Sequence, residues 1–244
     1  MSQKSTHAET LAELESLRKV SQRQTLCFSA TMERSVANLV HEYTREPVPV
    51  ALGSVLKPAQ TVRLTAYEVR SDEKMDTLRQ LLSAETGQTL IFARTKRGAE
   101  RITKSLARDG FNAAMIHGGR SQVQRNKALS GFQGGYFQVL VATDIASRGL
   151  HVDDIAHVIN YDVPKLAEDF IHRIGRTGRA ASHGRATTLV AGTDEMELWQ
   201  VERTLKLRIA RRQLDPSGGD QPKRLVQNTL ASRTLTALPG EVFV

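Results

Sequence analysis

Between residues 62 and 205 short apolar runs alternate with stretches of helical periodicity, and this pattern limits what the chain can fold into more than any other feature. The period changes predict strands at Val62–Val69, Thr89–Ala93, Ala113–Ile116, Gln138–Ala142, His157–Tyr161 and Ala186–Val190. They predict helices at Glu73–Ala84, Gly98–Arg108, Gln122–Phe132, Ala167–Ile174 and Glu195–Leu205. Strands that are apolar on both faces and separated by helices are covered only in a mainly parallel sheet lying between two helical layers. Such α/β sheets take their ligands beyond the carboxyl ends of the strands. The polar segments 94–98, 117–122 and 143–149 each follow a strand, so function is expected there.

The flanks read differently. Leu11, Leu14 and Leu17 recur at helical spacing, and Gln24–Phe28 reads as a short buried strand that carries the single cysteine, Cys27, into a core. Ser29-Ala30-Thr31 closes that strand, a helix follows over Glu33–Tyr43, and Pro47 and Pro49 lead into an extended Val48–Leu52. Residues 53–61 read as a linker, 62–212 as the main domain and 213–244 as a flexible tail, because Asp215 to Pro222 is rich in Gly, Pro and Ser and little periodicity follows.

Lys and Arg outnumber Asp and Glu by 34 to 26, a net charge of +8 that favours polyanionic partners. One cysteine excludes an intramolecular disulfide and a cysteine-rich zinc site. No run approaches the roughly 18 apolar residues of a membrane span, and no signal-peptide core is seen, so a cytoplasmic location without membrane contact is expected.

The segment His172-Arg-Ile-Gly-Arg-Thr-Gly-Arg179 repeats an arginine every third residue between two glycines, which lets several guanidinium groups converge on one anion such as phosphate. Upstream stand Val141-Ala-Thr-Asp-Ile-Ala-Ser-Arg-Gly-Leu150, the stretch from His117 to Arg125, Leu90-Ile-Phe-Ala-Arg-Thr-Lys-Arg-Gly-Ala-Glu100 and Ser29-Ala-Thr31. In order and spacing these resemble the second-half motifs of DEAD-box RNA helicases of superfamily 2, over residues 7 to 212.

The resemblance implies a three-layer RecA-like domain of the P-loop NTPase type, the helicase C-terminal domain. It implies that Arg176 and Arg179 reach an ATP held by a separate N-terminal RecA-like domain, with His172 coupling that site to RNA. Such arginines raise kcat by about 10³–10⁵ in GTPases. Thr95, Gly119, Gln122, Arg125 and Thr143 match positions that contact the RNA backbone, and their hydroxyl, amide and guanidinium groups suit sequence-independent binding. Ser29, Thr31, Asp144 and Arg148 match coupling positions, with Asp144 and Arg148 ordering their loop by pairing with each other or with the arginines of 172–179. Gly149 and His151 fall on the nucleotide side. His151 stands where the family carries an aspartate for the ATP ribose, and a neutral imidazole can accept one hydrogen bond in its place.

No Gly-Lys pair and no Asp-Glu-Ala-Asp occurs among the 244 residues, while Asp72-Glu73 and Asp194-Glu195 open helices, where carboxylates favour the positive dipole end. The expectation is a helicase half that binds RNA and works with ATP and Mg2+ only in the complete helicase, holding neither tightly alone. Residues 1–52 are then a remnant of the first RecA-like domain in a truncated chain. Two rival readings are a non-enzymatic RNA-binding or regulatory module and a DNA-directed helicase half. The latter usually carries glutamine where His172 stands.

Overall fold

A computed structural model describes residues 24–29, 34–50, 61–147, 155–178, 183–214 and 220–222. After helix α1 (Arg34–Tyr43) the order is β1 (Val62–Glu68), α2 (Lys74–Ser83), β2 (Thr89–Phe92), α3 (Lys96–Arg108), β3 (Ala113–Ile116), α4 (Gln122–Gln133) and β4 (Val139–Ala142). Then come α5 (Asp144–Ser147), β5 (His157–Asn160), α6 (Ala167–Ile174), β6 (Gly184–Val190), α7 (Asp194–Leu205), β7 (Ala210–Leu214) and β8 (Asp220–Pro222). Every predicted element of the central domain is present within a few residues of its expected bounds.

The strands form one sheet in the order β3-β4-β2-β5-β6-β1-β7-β8, parallel throughout except for the antiparallel β7–β8 pair at one edge. Strands β2, β4 and β5 are buried at every position, as their unbroken apolar character requires. Their side chains alternate between two cores. Leu90, Phe92, Leu140 and Val158 pack with Phe132 of α4, Phe170 of α6 and Leu198 of α7, whereas Ile91, Val141 and Ile159 pack with Leu78 of α2 and Ile102 of α3. Two helices therefore cover one face and three the other, which makes the three-layer α/β domain of RecA type. No helix among the described residues is long and apolar enough to cross a membrane.

Three expectations are corrected. Residues 24–29 form no strand: Leu26 is 68% and Phe28 89% exposed, and Cys27 is exposed as well. A strand exists only where a neighbour completes its hydrogen bonds, and none of the described strands pairs with this segment. The domain also does not stop at residue 212. Strand β7 runs to Leu214, pairs with β1 from Thr65↔Ala210 to Tyr67↔Arg212, and is met by β8 inside the expected tail. Its sequence Ala-Arg-Arg-Gln-Leu shows no apolar alternation because β7 lies near the sheet edge, where charge is tolerated, and Glu202 of α7 ties it down by accepting from Arg211 Nη2 at 2.7 Å and Ile209 N at 2.7 Å. Finally, the one-turn helix α5 occupies a segment read as loop.

A polar clamp closes the amino ends of the strands. Glu85, just before β2, pairs with Arg185 of β6 and lies 3.3 Å from Nδ1 of His157, whose Nε2 is 2.8 Å from Thr187 Oγ1. The imidazole beside it, the Gly87 amide and the Arg185 guanidinium hold the Glu85 carboxyl down to about 2 against the upward push of burial. Burial pushes His157 below its ordinary range despite Glu85. Both shifts have the same sign for stability: the unfolded chain binds the proton first, so stability falls as pH drops, from about 6.5 downward for His157 and between about 4.5 and 2 for Glu85. Glu85→Gln is expected to cost about 1–2 kcal/mol at neutral pH, allowing for solvent screening of its exposed partner, and to flatten the stability profile below pH 4.5. Urea melts across pH check this, and an unchanged acid limb would contradict it.

Candidate nucleic-acid interface

Strands β3, β4 and β2 are neighbours in the sheet, so their carboxyl ends bring three segments together along one edge. Thr95 follows β2, the turn 117–121 follows β3, and Thr143 follows β4. Thr95 is the N-cap of α3. Its Oγ1 accepts the Gly98 amide at 2.9 Å, which leaves the exposed hydroxyl its own hydrogen to donate. Ser121 is the N-cap of α4 in a reciprocal capping box with Gln124, at 3.3 and 3.1 Å. The S-x-x-Q spelling of that box was open to a reading of the sequence, and the box fixes where α4 starts. Gln122 and Arg125 then share one helix face, with Arg125 Nη1 donating to Gln122 Oε1 at 3.1 Å.

Arg125 also crosses to the next loop, where its Nη2 donates to the Ala146 carbonyl at 3.3 Å. That bond joins the 117–125 segment to α5 and to Thr143, whose backbone N–H bonds Ile116 O at 3.2 Å. Gly119 and Gln122 are exposed and Arg125 is half-buried, whereas Thr143 is buried.

The helix starts on this edge differ in charge. Neither α3 nor α4 carries an acidic residue in its first turn, and α3 opens on the exposed Lys96 and Arg97. Helices α6 and α7 open instead on Glu168 and Asp169 and on Asp194, Glu195 and Glu197. The positive dipole ends of α3 and α4 are thus left uncompensated where an anion would be met. Arg94 is held in place alongside: its amide bonds Asp162 Oδ2 at 2.8 Å, and its Nη2 reaches the Val163 carbonyl at 3.2 Å and pairs with Glu197. Asp194 in turn holds the buried Lys74 at 2.6 Å.

The arginine-rich turn lies elsewhere. Helix α6 leaves the carboxyl end of β5 and returns to the amino edge, where Thr177 Oγ1 donates to the Ile155 carbonyl and Thr61 Oγ1 to the Gly178 carbonyl at 2.7 Å. Gly178 has φ +70°, and a Cβ there would sit 2.5 Å from Val62 Cγ2, so the turn docks only with glycine. His172 and Arg176 are half-buried, and they belong to this element rather than to the group formed by Thr95, Gly119, Gln122, Arg125 and Thr143.

The expectation that the arginines of this segment converge on one target is corrected for Arg173. It is 3% exposed, and its fork donates to Asp144 Oδ1 at 2.6 Å, Asp144 Oδ2 at 2.8 Å, Asn160 Oδ1 at 3.1 Å and the Asp162 carbonyl at 2.7 Å, over the Phe92 ring at 5.0 Å. The available signal was its position, between Phe170 and Ile174 on the apolar face of α6. Ser29 lies in the exposed segment 24–29. Thr31, Arg148, Gly149, His151 and Arg179 lie outside the described residues. Among the described residues no cluster of three or more His, Cys, Asp or Glu is placed to hold a metal ion.

Arg173→Ala leaves Asp144 and Asn160 without their partner and is expected to cost about 3 kcal/mol. Arg173→Lys should recover less than half of that, because one ammonium cannot reproduce a planar fork. Gly178→Ala should cost about 1–3 kcal/mol through strain and overlap. Chemical denaturation measures all three, and full stability in the lysine variant would contradict the role given to the fork.

Comparison with known proteins agrees with this fold. Residues 73–181 match the helicase conserved C-terminal domain. The chain is 43% identical over 167 residues to the ATP-dependent RNA helicase vasa of Drosophila melanogaster, covering 68% of this chain and 25% of that protein. It is similar to Escherichia coli DEAD-box protein SrmB in its complex with regulator of ribonuclease activity A, at 30% identity and TM-score 0.60, covering 67% of this chain and 95% of that one. It shares its fold with Saccharomyces cerevisiae Dbp5 bound to RNA and ADP BeF3, at 24% identity and TM-score 0.73, over 82% of this chain and 54% of that one. The chain spans at most about half the length of the curated relatives vasa, DDX23 and RhlB that it matches. With its motifs placed on a RecA-like sheet in this way, the chain belongs to the DEAD-box RNA helicase family and carries the family's C-terminal helicase domain.

Proposed function

We propose that this chain serves ATP-dependent RNA unwinding as the half that supplies an RNA-backbone grip and arginine fingers. The observation that carries the reading is the gathering of Thr95, Gly119, Gln122, Arg125 and Thr143 along three adjacent strand ends, beside two helix starts with no acidic first turn. Hydroxyl, amide and guanidinium donors there suit phosphate and 2′-OH oxygens and read no base edge. Arg176, on a turn locked by Gly178, and Arg179 beyond it supply guanidinium groups to the phosphates of an ATP held by another RecA-like unit. A guanidinium fits that task because it stays charged and stabilises charge that develops during phosphoryl transfer. His172, Ser29, Thr31, Asp144 and Arg148 link the two events, and Gly149 and His151 lie on the nucleotide side. ATP and Mg2+ are those of the complete helicase, and the partners are RNA and an N-terminal RecA-like domain.

By itself the chain is expected to show no RNA-stimulated ATP hydrolysis, since the sequence has no Gly-Lys phosphate cradle. Turnover by the purified chain that disappears in Arg176→Ala would overturn that statement. RNA binding should weaken linearly in a log–log salt titration, and Arg125→Ala should lower the slope by about one. Affinity indifferent to salt would remove the backbone grip.

A further inference from the structure

One buried titratable side chain on the RNA-facing edge has no part in the reading above. His117 directly follows β3, and its side chain is 3% exposed. Its Nδ1 accepts the Gly119 amide at 3.2 Å, and its carbonyl accepts the Arg120 amide at 3.0 Å, so both bonds that close the turn ahead of α4 end on this one residue. The opposite ring nitrogen, Nε2, is buried without a hydrogen-bond partner and lies 3.4 Å from Glu100 Oε1 on α3. The two glycines of the turn leave little room: Gly119 abuts the ring and Gly118 abuts Lys96. A Cβ on Gly119 would stand 3.1 Å from Nδ1, and one on Gly118 would stand 3.4 Å from Lys96 Cε.

We infer that His117 is the positioning residue of the RNA-facing turn, holding Gly119 through a neutral imidazole whose proton sits on Nε2 toward Glu100, so that RNA affinity depends on His117 staying unprotonated. This rests on the proposed RNA grip. A protonated ring has a donor on both nitrogens, and its Nδ1–H would then face the Gly119 N–H, donor against donor. The turn would open at the residue that leads into Ser121 and Gln122. The charged groups that face the ring are Glu100 and Lys96 from α3 and Arg120 from the turn itself. Burial, with Arg120 and Lys96, outweighs Glu100 and moves the ring below its ordinary 6.5, so the acceptor is present at neutral pH and is lost only on acidification.

The test is RNA affinity measured by fluorescence anisotropy with a fluorescent single-stranded oligoribonucleotide from pH 7.5 to pH 5, for the chain and two variants. His117→Asn keeps an acceptor for the amide two residues on, as asparagine does in turns, but cannot be protonated. It should bind within about threefold of the parent at pH 7.5, and the ratio of its affinity to the parent's should rise as pH falls. His117→Phe fills the site without an acceptor and should lose about threefold to tenfold at pH 7.5, the usual effect of one hydrogen bond, with an unchanged salt slope. In the RNA-free chain, the Gly119 amide proton should shift with pH along the His117 titration, a change absent from His117→Asn. Parent and asparagine pH profiles that superimpose, or a phenylalanine variant that binds like the parent while remaining folded, would overturn the inference and leave the RNA grip intact. A chain that binds no RNA at any pH would remove the grip itself.

Discussion

Arg173 joins three segments of this domain through one buried side chain. Its planar fork satisfies acceptors from the first residue of α5, from β5 and from the chain leaving β5, and its flat face lies over Phe92 of β2. A guanidinium this deeply buried is tolerable only when every one of those acceptors is in place. Helix α6, the β4–α5 connection and the ends of two strands are therefore ordered together. His172 is the preceding residue on the same helix, about 100° round its axis, so the rotation that buries Arg173 also sets the direction in which its neighbours lie.

Helix α6 also links the two edges of the sheet. The residues that gather at the carboxyl ends of β2, β3 and β4 belong to one edge, whereas the turn containing Arg176 and Gly178 is docked at the amino ends of β1, β5 and β6. Helix α6 runs from one edge to the other, and the pair between Arg173 and Asp144 ties it back to the residue next to Thr143. An α/β sheet with ligand chemistry at its carboxyl edge is the ordinary case. Here a second group of motif residues sits at the opposite edge, connected by helix α6 and the ion pair between Arg173 and Asp144.

The polar networks divide the same way. At the amino edge Glu85, His157, Thr187 and Arg185 close the ends of β2, β5 and β6, and at the carboxyl edge Lys74, Asp194, Arg94 and Glu197 fasten α2 and α7. The acids that compensate helix dipoles fall on α2, α6 and α7. Helices α3 and α4 start without them, and α3 starts with two exposed basic residues, which leaves the positive dipole ends uncompensated beside Thr95 and Gln122.

The alternation of apolar runs and amphipathic stretches determined the α/β class, the parallel sheet and nearly all of the central elements, because burial on two faces leaves its mark on every residue of a strand. The motif order likewise carried the family, and the glycines of the 172–179 segment announced a tight turn. Strand β7 was illegible, since a near-edge strand rich in arginine and glutamine is stabilised by pairing with β1 and by Glu202, and neither is legible from its own residues. Residues 24–28 erred in the other direction: an apolar run spells a strand, yet it becomes one only when a neighbour lies beside it. The roles of Arg173 and His117 were decided by tertiary structure alone. Composition presents both as candidate ligand groups, and only the meeting of distant segments determines whether a charge or a ring nitrogen is spent on the protein's own acceptors and donors or left to face solvent.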